Sequence, residues 1–204
     1  MSRIGAIERN GFAVLHRLFP SEYLDCVLEQ INRLSPRRRR AGVRHALGLA
    51  PVEELARHQV LMELAAQVLG PGPRSGCVPL SRDPVRQVTG GELACCLASG
   101  HRLAVAVSAG NTGWGPRSIK EGIDYAHAPA AALCQVLALR VSFDNSTVEN
   151  RPLGVLPETH TPGVPSDDAI HELSTRISPI DLHQPKGGVT VIRPLIVHCV
   201  AFNG

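Results

Sequence analysis

Apolar and polar residues alternate most regularly between residues 137 and 144. The apolar positions are Leu137, Leu139, Val141 and Phe143, and the residues between them are Ala138, Arg140, Ser142 and Asp144. A period of two is typical of a β-strand with one buried face. Two further stretches rich in apolar residues follow, at 153–156 and, after the pair Gly187-Gly188, at 189–198. The pattern therefore predicts that the C-terminal part of the chain is built from strands.

The N-terminal part carries a different period. Gly11 to Phe19 is a short apolar run that predicts an opening strand. A helix is predicted from Ser21, a suitable N-cap, until Pro36 stops it. One face of this helix collects Leu24, Val27, Leu28, Ile31 and Leu34. A second helical region is predicted from Pro51 to Gly70, since proline suits a first helical position and glycine a helix end.

Connections complete the predicted architecture. We expect 114–129 to be a polar loop, 165–177 a loop or short helix, and 180–185 another connection. Short strands separated by turns at these intervals favour a β-sandwich or a jelly-roll over a parallel sheet. A length of 204 residues fits one domain, 1–204, with a substantial core. The predicted fold class is mainly β with N-terminal helices.

One long segment fits neither period. Residues 71–113 contain no aromatic residue and no sustained repeat, and only Leu103 to Val107 resembles a strand. A stretch of this length without regular structure is unusual inside a compact domain. We therefore predict low local order over 80–107. The whole chain is also poor in aromatic residues, at 3%, although aromatic side chains usually supply much buried area.

Composition and charge narrow the function classes. A formal net charge of +3 is too small to indicate a nucleic-acid-binding protein. Arg37 to Arg40 form a basic run whose two interpretations are a phosphate-binding patch and a solvated loop, and the lack of nearby aromatic residues favours the loop. No apolar run reaches the length of a membrane span, and no secretory signal is predicted. Six cysteines without a CxxC pair indicate reduced thiols and a cytoplasmic protein.

Seven short motifs stand in a characteristic order along the chain. They are Gly11 to Leu15, Val68 to Gly70, Trp114 to Gly122, Leu139 to Val141, Glu149 to Leu153, Leu156 to His160 and Arg193 to His198. Taken in this order, they resemble the phytanoyl-CoA dioxygenase family of iron(II)- and 2-oxoglutarate-dependent oxygenases. The family's middle motif is roughly Asn-Gly-Pro-Leu followed by Pro-Gly-Ser-His, and here Arg151, Glu158 and Thr159 replace its small residues. The resemblance covers about four fifths of the chain and skips 78–113.

The resemblance implies a double-stranded β-helix, a cupin-like jelly-roll. It also implies iron(II) and 2-oxoglutarate as cofactors and a small organic substrate that is hydroxylated. Iron in such sites is held by a His-x-Asp pair and a distal histidine. His198 matches the distal histidine by its Arg-Pro-Leu lead-in. The alternative for His198 is a core histidine. His160 is expected to be a structural or pocket-edge residue, and His127 to be exposed.

The chain departs from this family at two places. No histidine of the nine is followed two positions later by Asp or Glu, so the His-x-Asp motif is absent. The sequence given continues for six residues after His198, so we expect no place for the 2-oxoglutarate-binding arginine. Arg193 precedes His198 and is not that residue. The jelly-roll is therefore expected to be incomplete.

A shifted reading frame over about 78–113 is one hypothesis for the missing motif. If Leu97 to His101 are encoded by CTG GCA TCA GGA CAT, reading one base later gives Trp-His-Gln-Asp. Codons for the preceding residues can likewise be chosen to give a strand-like sequence. The nucleotide sequence of the gene tests this hypothesis directly.

Three functions stay open at this point. The first is an oxygenase of the family, acting on a small molecule. The second is a non-catalytic remnant, which the physics of metal binding favours, since one imidazole among water ligands binds iron(II) poorly. The third is a binding module that uses the basic loop Arg37 to Arg40.

Overall fold

The described fold consists of helices packed on the larger of two antiparallel β-sheets, together with a separate two-stranded sheet. A computed structural model describes residues 3–34, 49–70, 73–75, 92–99, 117–120, 123–126, 129–146, 152–161 and 164–200. The helices are α1 Arg3–Asn10, α2 Ser21–Leu34, α3 Ala50–Ala56, α4 Gln59–Leu69, α5 Ala130–Leu133 and α6 Asp167–Arg176. None of these helices has the length and apolar character needed to cross a bilayer.

The larger sheet has five strands in the order β1-β9-β6-β3-β2. They are β1 Phe12–Leu15, β2 Pro73–Ser75, β3 Glu92–Ser99, β6 Val136–Ser142 and β9 Val189–Ile192. The predicted strand over 137–143 is β6, which lies at the centre between β9 and β3. Its register with β9 aligns Ala138 with Ile192 and Val141 with Val189.

The smaller sheet has three strands in the order β10-β7-β8. These are β7 Leu153–Val155, β8 Ile180–Leu182 and β10 His198–Val200, and β4 Arg117–Lys120 and β5 Ile123–Ala126 form a separate hairpin. All described pairings are antiparallel. Because β6 and β7 belong to different sheets, the polar segment between them is a crossover rather than a hairpin turn.

Side chains alternate between two cores on either side of the larger sheet. Leu137, Leu139 and Val141 of β6 pack with the helices in the main cluster. Ala138 instead packs with Val155 and Ile192 in a second cluster that joins the two sheets. The predicted alternation is therefore present, but both faces of β6 are covered. The more polar face of β6, with Arg140 and Ser142, lies towards the smaller sheet because alternate residues of a strand share a face.

The N-terminal helices follow the predicted pattern with local differences. Helix α2 buries Leu24, Val27 and Ile31, whereas Leu34 is 57% exposed because it ends the helix. The single helix predicted over 51–70 is two helices, since the chain breaks at Arg57-His58. The His58 side chain accepts a hydrogen bond from the backbone of Val60 and so caps α4. Imidazole nitrogen thereby replaces the oxygen usually found at an N-cap.

Three predictions about connections are wrong. Residues 92–99 form β3, which is paired with β6 and β2, so the segment 71–113 contributes more strand than expected. Its run Leu93 to Ala98 is continuously apolar, as in strands covered on both faces, and therefore lacks a period of two. Residues 117–126 contain the β4–β5 hairpin, and 180–182 form β8. The weak strand expected at 103–107 lies outside the described residues.

Candidate functional site

His198 lies at the start of β10, on the face of the smaller sheet that meets the larger one. It stands opposite Val155, which stands opposite Ile180 on the next strand. Residues directly opposite each other in an antiparallel pair share a face. Val155 is completely buried and belongs to the cluster between the sheets. The side chain of His198 therefore belongs to the inner face, although it is itself exposed. It thus lies at one open end of the space between the two sheets, which we call the rim.

The rim that carries His198 can be identified from the connections at the two ends of β8. Just beyond Leu182, Gln184 donates a hydrogen bond to the Leu15 carbonyl at the end of β1. Ile180 and His198 lie at the opposite end of the smaller sheet. That end faces the part of the larger sheet that holds Phe12, Ile192 and the last residues of β3. His198 and the end of β3 thus lie at the same rim.

The hydrogen bonding of the His198 ring fixes its tautomer. Its Nδ1 lies 2.9 Å from the carbonyl oxygen of Ile196. A carbonyl oxygen can only accept, so Nδ1 carries the proton and donates it. In the neutral ring, Nε2 then bears the lone pair that a metal ion needs. Metal-binding histidines commonly hold their second nitrogen in this way.

A buried threonine connects the segment before His198 to the turn at 157–160. The Thr159 hydroxyl donates to the Leu156 carbonyl at 2.7 Å and accepts from the Val197 N–H at 2.9 Å. The Leu156 N–H also donates to the Val197 carbonyl at 2.8 Å. Val197, the residue immediately before His198, is therefore held by two hydrogen bonds, one with Leu156 and one with Thr159.

The conformation of this turn explains why the family motif has a glycine at the position of Glu158. Glu158 has a φ of 66°, in the left-handed region that glycine enters most easily. Its N–H donates to the Asn10 carbonyl at 3.0 Å, so the turn is also tied to α1. A glutamate here retains the conformation at a cost in backbone strain.

His160, at the end of this turn, is a structural residue in the described fold. Its Nε2 donates to the Glu8 carbonyl at 3.1 Å, and its ring is 9% exposed. The ring packs on Gly11, where an added Cβ would lie 2.6 Å from Nδ1. His160 also borders a small cavity of about 280 Å³ with Arg193, Cys134 and Leu195. Arg193 uses its guanidinium to donate to the Cys134 carbonyl at 3.2 Å.

Sequence reasoning missed Arg140 as a candidate binding residue. It lies on the inner face of β6, opposite Thr190 of β9, and it is half-buried. The available signal was an arginine at the centre of an otherwise apolar strand. Such a residue is expected to have a specific partner or ligand, because an unpaired charge is costly to bury.

Among the residues that the structure describes, no three His, Cys, Asp or Glu side chains converge on a point that could hold a metal ion. His127 and Arg37 to Arg40 lie outside the described ranges. Their predicted exposure stays a prediction.

Two solved structures are similar in fold to this chain. The crystal structure of EctD from S. alaskensis with bound Fe matches with a TM-score of 0.61 and 16% identity, covering 97% of this chain and 70% of EctD. SnoN, an epimerase from nogalamycin biosynthesis solved with Fe3+, alpha ketoglutarate and nogalamycin RO, matches with a TM-score of 0.61 and 15% identity. That match covers 96% of this chain and 74% of SnoN. The chain therefore has the fold of EctD and SnoN.

The family follows from the sequence itself. The profile of the phytanoyl-CoA dioxygenase family matches residues 7–200, and the chain belongs to this family. The resemblance drawn from the motifs is thereby confirmed. No curated protein sequence matches the chain.

Proposed function

We propose that the chain is an iron(II)- and 2-oxoglutarate-dependent oxygenase scaffold with a double-stranded β-helix core, whose iron site is incomplete. His198 is the proposed iron ligand. The observation that carries this proposal is the Nδ1 hydrogen bond to the Ile196 carbonyl, which leaves Nε2 of an inner-face histidine available. The two-sheet architecture and the family membership support the same assignment.

The residues present fit iron only in part. Iron(II) oxygenase sites use two histidines and one carboxylate, with open positions for the cosubstrate and oxygen. His198 suits one of these roles, but no described cluster supplies the others. We therefore propose that this chain, as it stands, does not catalyse a reaction at iron.

Two residues of the chain have proposed roles beside His198. Thr159 is a positioning residue, because its hydroxyl holds the backbone of Val197. Arg140 is a candidate for binding a carboxylate of 2-oxoglutarate, since it is basic and lies on the inner face of β6. A small organic substrate would occupy the rim near His198 and Ile180, whose side chain is 45% exposed.

The first experiment asks whether the chain holds iron and turns over 2-oxoglutarate. Anaerobic titration with iron(II) should give weak binding, and succinate production should be absent. His198→Ala should weaken the residual binding, while His183→Ala, at the other end of the sheets, should not. Stoichiometric iron binding with succinate formation by the unaltered chain would refute the incomplete site.

The second experiment tests where the missing ligands belong. Ala98, the residue before the end of β3, stands opposite Val136, at the rim that carries His198. The double substitution Ala98→His and Gly100→Asp restores the family's spacing and should tighten iron binding at least about tenfold. The matched control, Ala94→His with Cys96→Asp, uses the same residue types four positions earlier on the same strand. Equal iron affinity of the two variants would contradict the assignment of the rim.

A further inference from the structure

A second cleft lies at the opposite end of the two sheets from His198. It has a volume of about 700 Å³, and it is lined by His16, Arg17, Asn145, Ser146, His183, Gln184 and Pro185. It is open to solvent rather than enclosed, since His16, Arg17, Asn145 and His183 are all exposed. Three segments form it: the turn after β1, the loop after β6 and the loop after β8.

The walls of this cleft are held together by hydrogen bonds between those segments. The Ser146 N–H donates to the Gln184 carbonyl, and the Gln184 amide donates to the Leu15 carbonyl at 3.2 Å. Gly188 packs so closely on Gln184 that a Cβ there would lie 2.4 Å from its Nε2. The cleft is thus part of the built fold rather than a gap between independent loops.

The described lining is rich in hydrogen-bond donors and contains no acidic residue. Arg17 contributes a guanidinium, and His16 and His183 contribute imidazoles. The Asn145 side-chain oxygen accepts from the Lys186 N–H at 2.9 Å, which holds this residue at the edge of the cleft. A guanidinium combined with imidazole donors is suited to a carboxylate or phosphate group.

Arg17 occupies a conformation that its residue type disfavours. Its φ is 53°, and the one other non-glycine residue with positive φ in the described ranges is Glu158. Glycine would adopt this conformation without strain. Retention of an arginine at a strained position is expected where the side chain has a task that offsets the cost.

We propose that this cleft binds a small organic anion through Arg17, with His16 and His183 as further donors. The ligand class is a compact molecule that bears a carboxylate or a phosphate. The proposal does not depend on iron or on the proposed function, because the cleft shares no lining residue with the rim at His198.

Calorimetric titration tests the proposal at constant ionic strength in chloride buffer. Malonate and inorganic phosphate are titrated separately, which distinguishes a carboxylate from a phosphate site. The unaltered chain should bind at least one of them saturably. Arg17→Gly should weaken that binding at least about tenfold, and it should fold at least as well because it relieves the strained φ.

Glu158→Gly is the matched control, since it also replaces a charged residue of positive φ by glycine but lies at the other end of the sheets. It should leave anion binding unchanged. The proposal is overturned if the unaltered chain shows no saturable binding of either anion. It is equally overturned if Arg17→Gly binds as tightly as the unaltered chain, or if Glu158→Gly loses binding to the same extent.

Discussion

The Thr159 hydroxyl and the Val197 backbone N–H are joined by a hydrogen bond of 2.9 Å. Thr159 is buried, with 4% of its surface exposed, and Val197 is the residue that precedes His198. This contact links the turn of the family motif to the strand that carries the candidate metal ligand. The turn itself supplies no proposed metal ligand, but through this contact it influences the position of His198.

Removing the Thr159 hydroxyl should destabilise the fold and disturb His198. Thr159→Val keeps the shape but leaves the Val197 N–H and the Leu156 carbonyl without this partner, at a cost of about 2 kcal/mol in the free energy of unfolding. Urea denaturation measures this change. Thr159→Ser retains the hydroxyl and should cost less than half as much. A loss in Thr159→Ser as large as that in Thr159→Val would show that the methyl group contributes as much as the hydroxyl, and would contradict the prediction.

Glu158→Gly should raise the free energy of unfolding by about 1 kcal/mol, because a left-handed backbone is unfavourable for residues with a Cβ. Thermal and urea denaturation both report the gain. Glu158→Ala removes the same carboxylate but retains the strain, so it should not stabilise the protein. A gain from alanine equal to that from glycine would attribute the effect to charge instead.

Gly11 and His160 should be energetically coupled. Gly11 has a φ of 84°, and its Cβ would meet His160 Nδ1 at 2.6 Å. Gly11→Ala should therefore be destabilising through strain and a clash, and His160→Ala should remove the clash term in a double-mutant cycle. Gly70 has a φ of 87° with no atom within 4 Å of the added Cβ. The same cycle with Gly70→Ala should show additive effects.

Stability at alkaline pH should depend on Tyr23. Burial, together with the negative charge of Glu54, raises the pKa of Tyr23 above its ordinary value of 10.0. The folded protein thus keeps the phenolic proton at a pH where the unfolded chain has lost it. This contribution is present below about pH 10 and is lost as the pH rises through the folded pKa.

The corresponding measurement compares Tyr23→Phe with the unaltered chain by urea denaturation between about pH 8 and pH 11. Phenylalanine keeps the ring that stacks on Phe19, with centroids 5.8 Å apart in the parent protein. The free energy of unfolding should fall less steeply with pH in Tyr23→Phe. Parallel curves for the two proteins would assign the alkaline loss to other groups.

The sequence predicted those parts of the fold whose period is regular. The strand at 137–143 and the helix from Ser21 were recognisable because one apolar face repeats. Strand β3 was missed because its run of apolar residues, Leu93 to Ala98, has no alternation. Strand β8 was missed since its three residues alternate too briefly, and the break at Arg57-His58 follows from capping by a histidine side chain, which is uncommon.

One residue of the candidate site could be predicted from the sequence, but the arrangement of the residues around it could not. His198 was recognisable from its lead-in sequence, and its role stays a prediction. The tautomer of its ring depends on a carbonyl two residues earlier, and the inner position of Arg140 depends on which sheet covers β6. Neither relationship is expressed in sequence spacing. The cleft around Arg17 joins three distant segments, so only the fold brings it together.

The pairing of β1 with β9 has a consequence for synthesis on the ribosome. Phe12 stands opposite Ile192, and Leu15 opposite Val189. Strand β1 is therefore synthesised early but cannot form its hydrogen-bonded pair until β9 has been synthesised. Contacts this distant along the chain slow folding. Until then β1 exposes an unpaired edge, and the nascent chain is expected to need protection from aggregation during that interval.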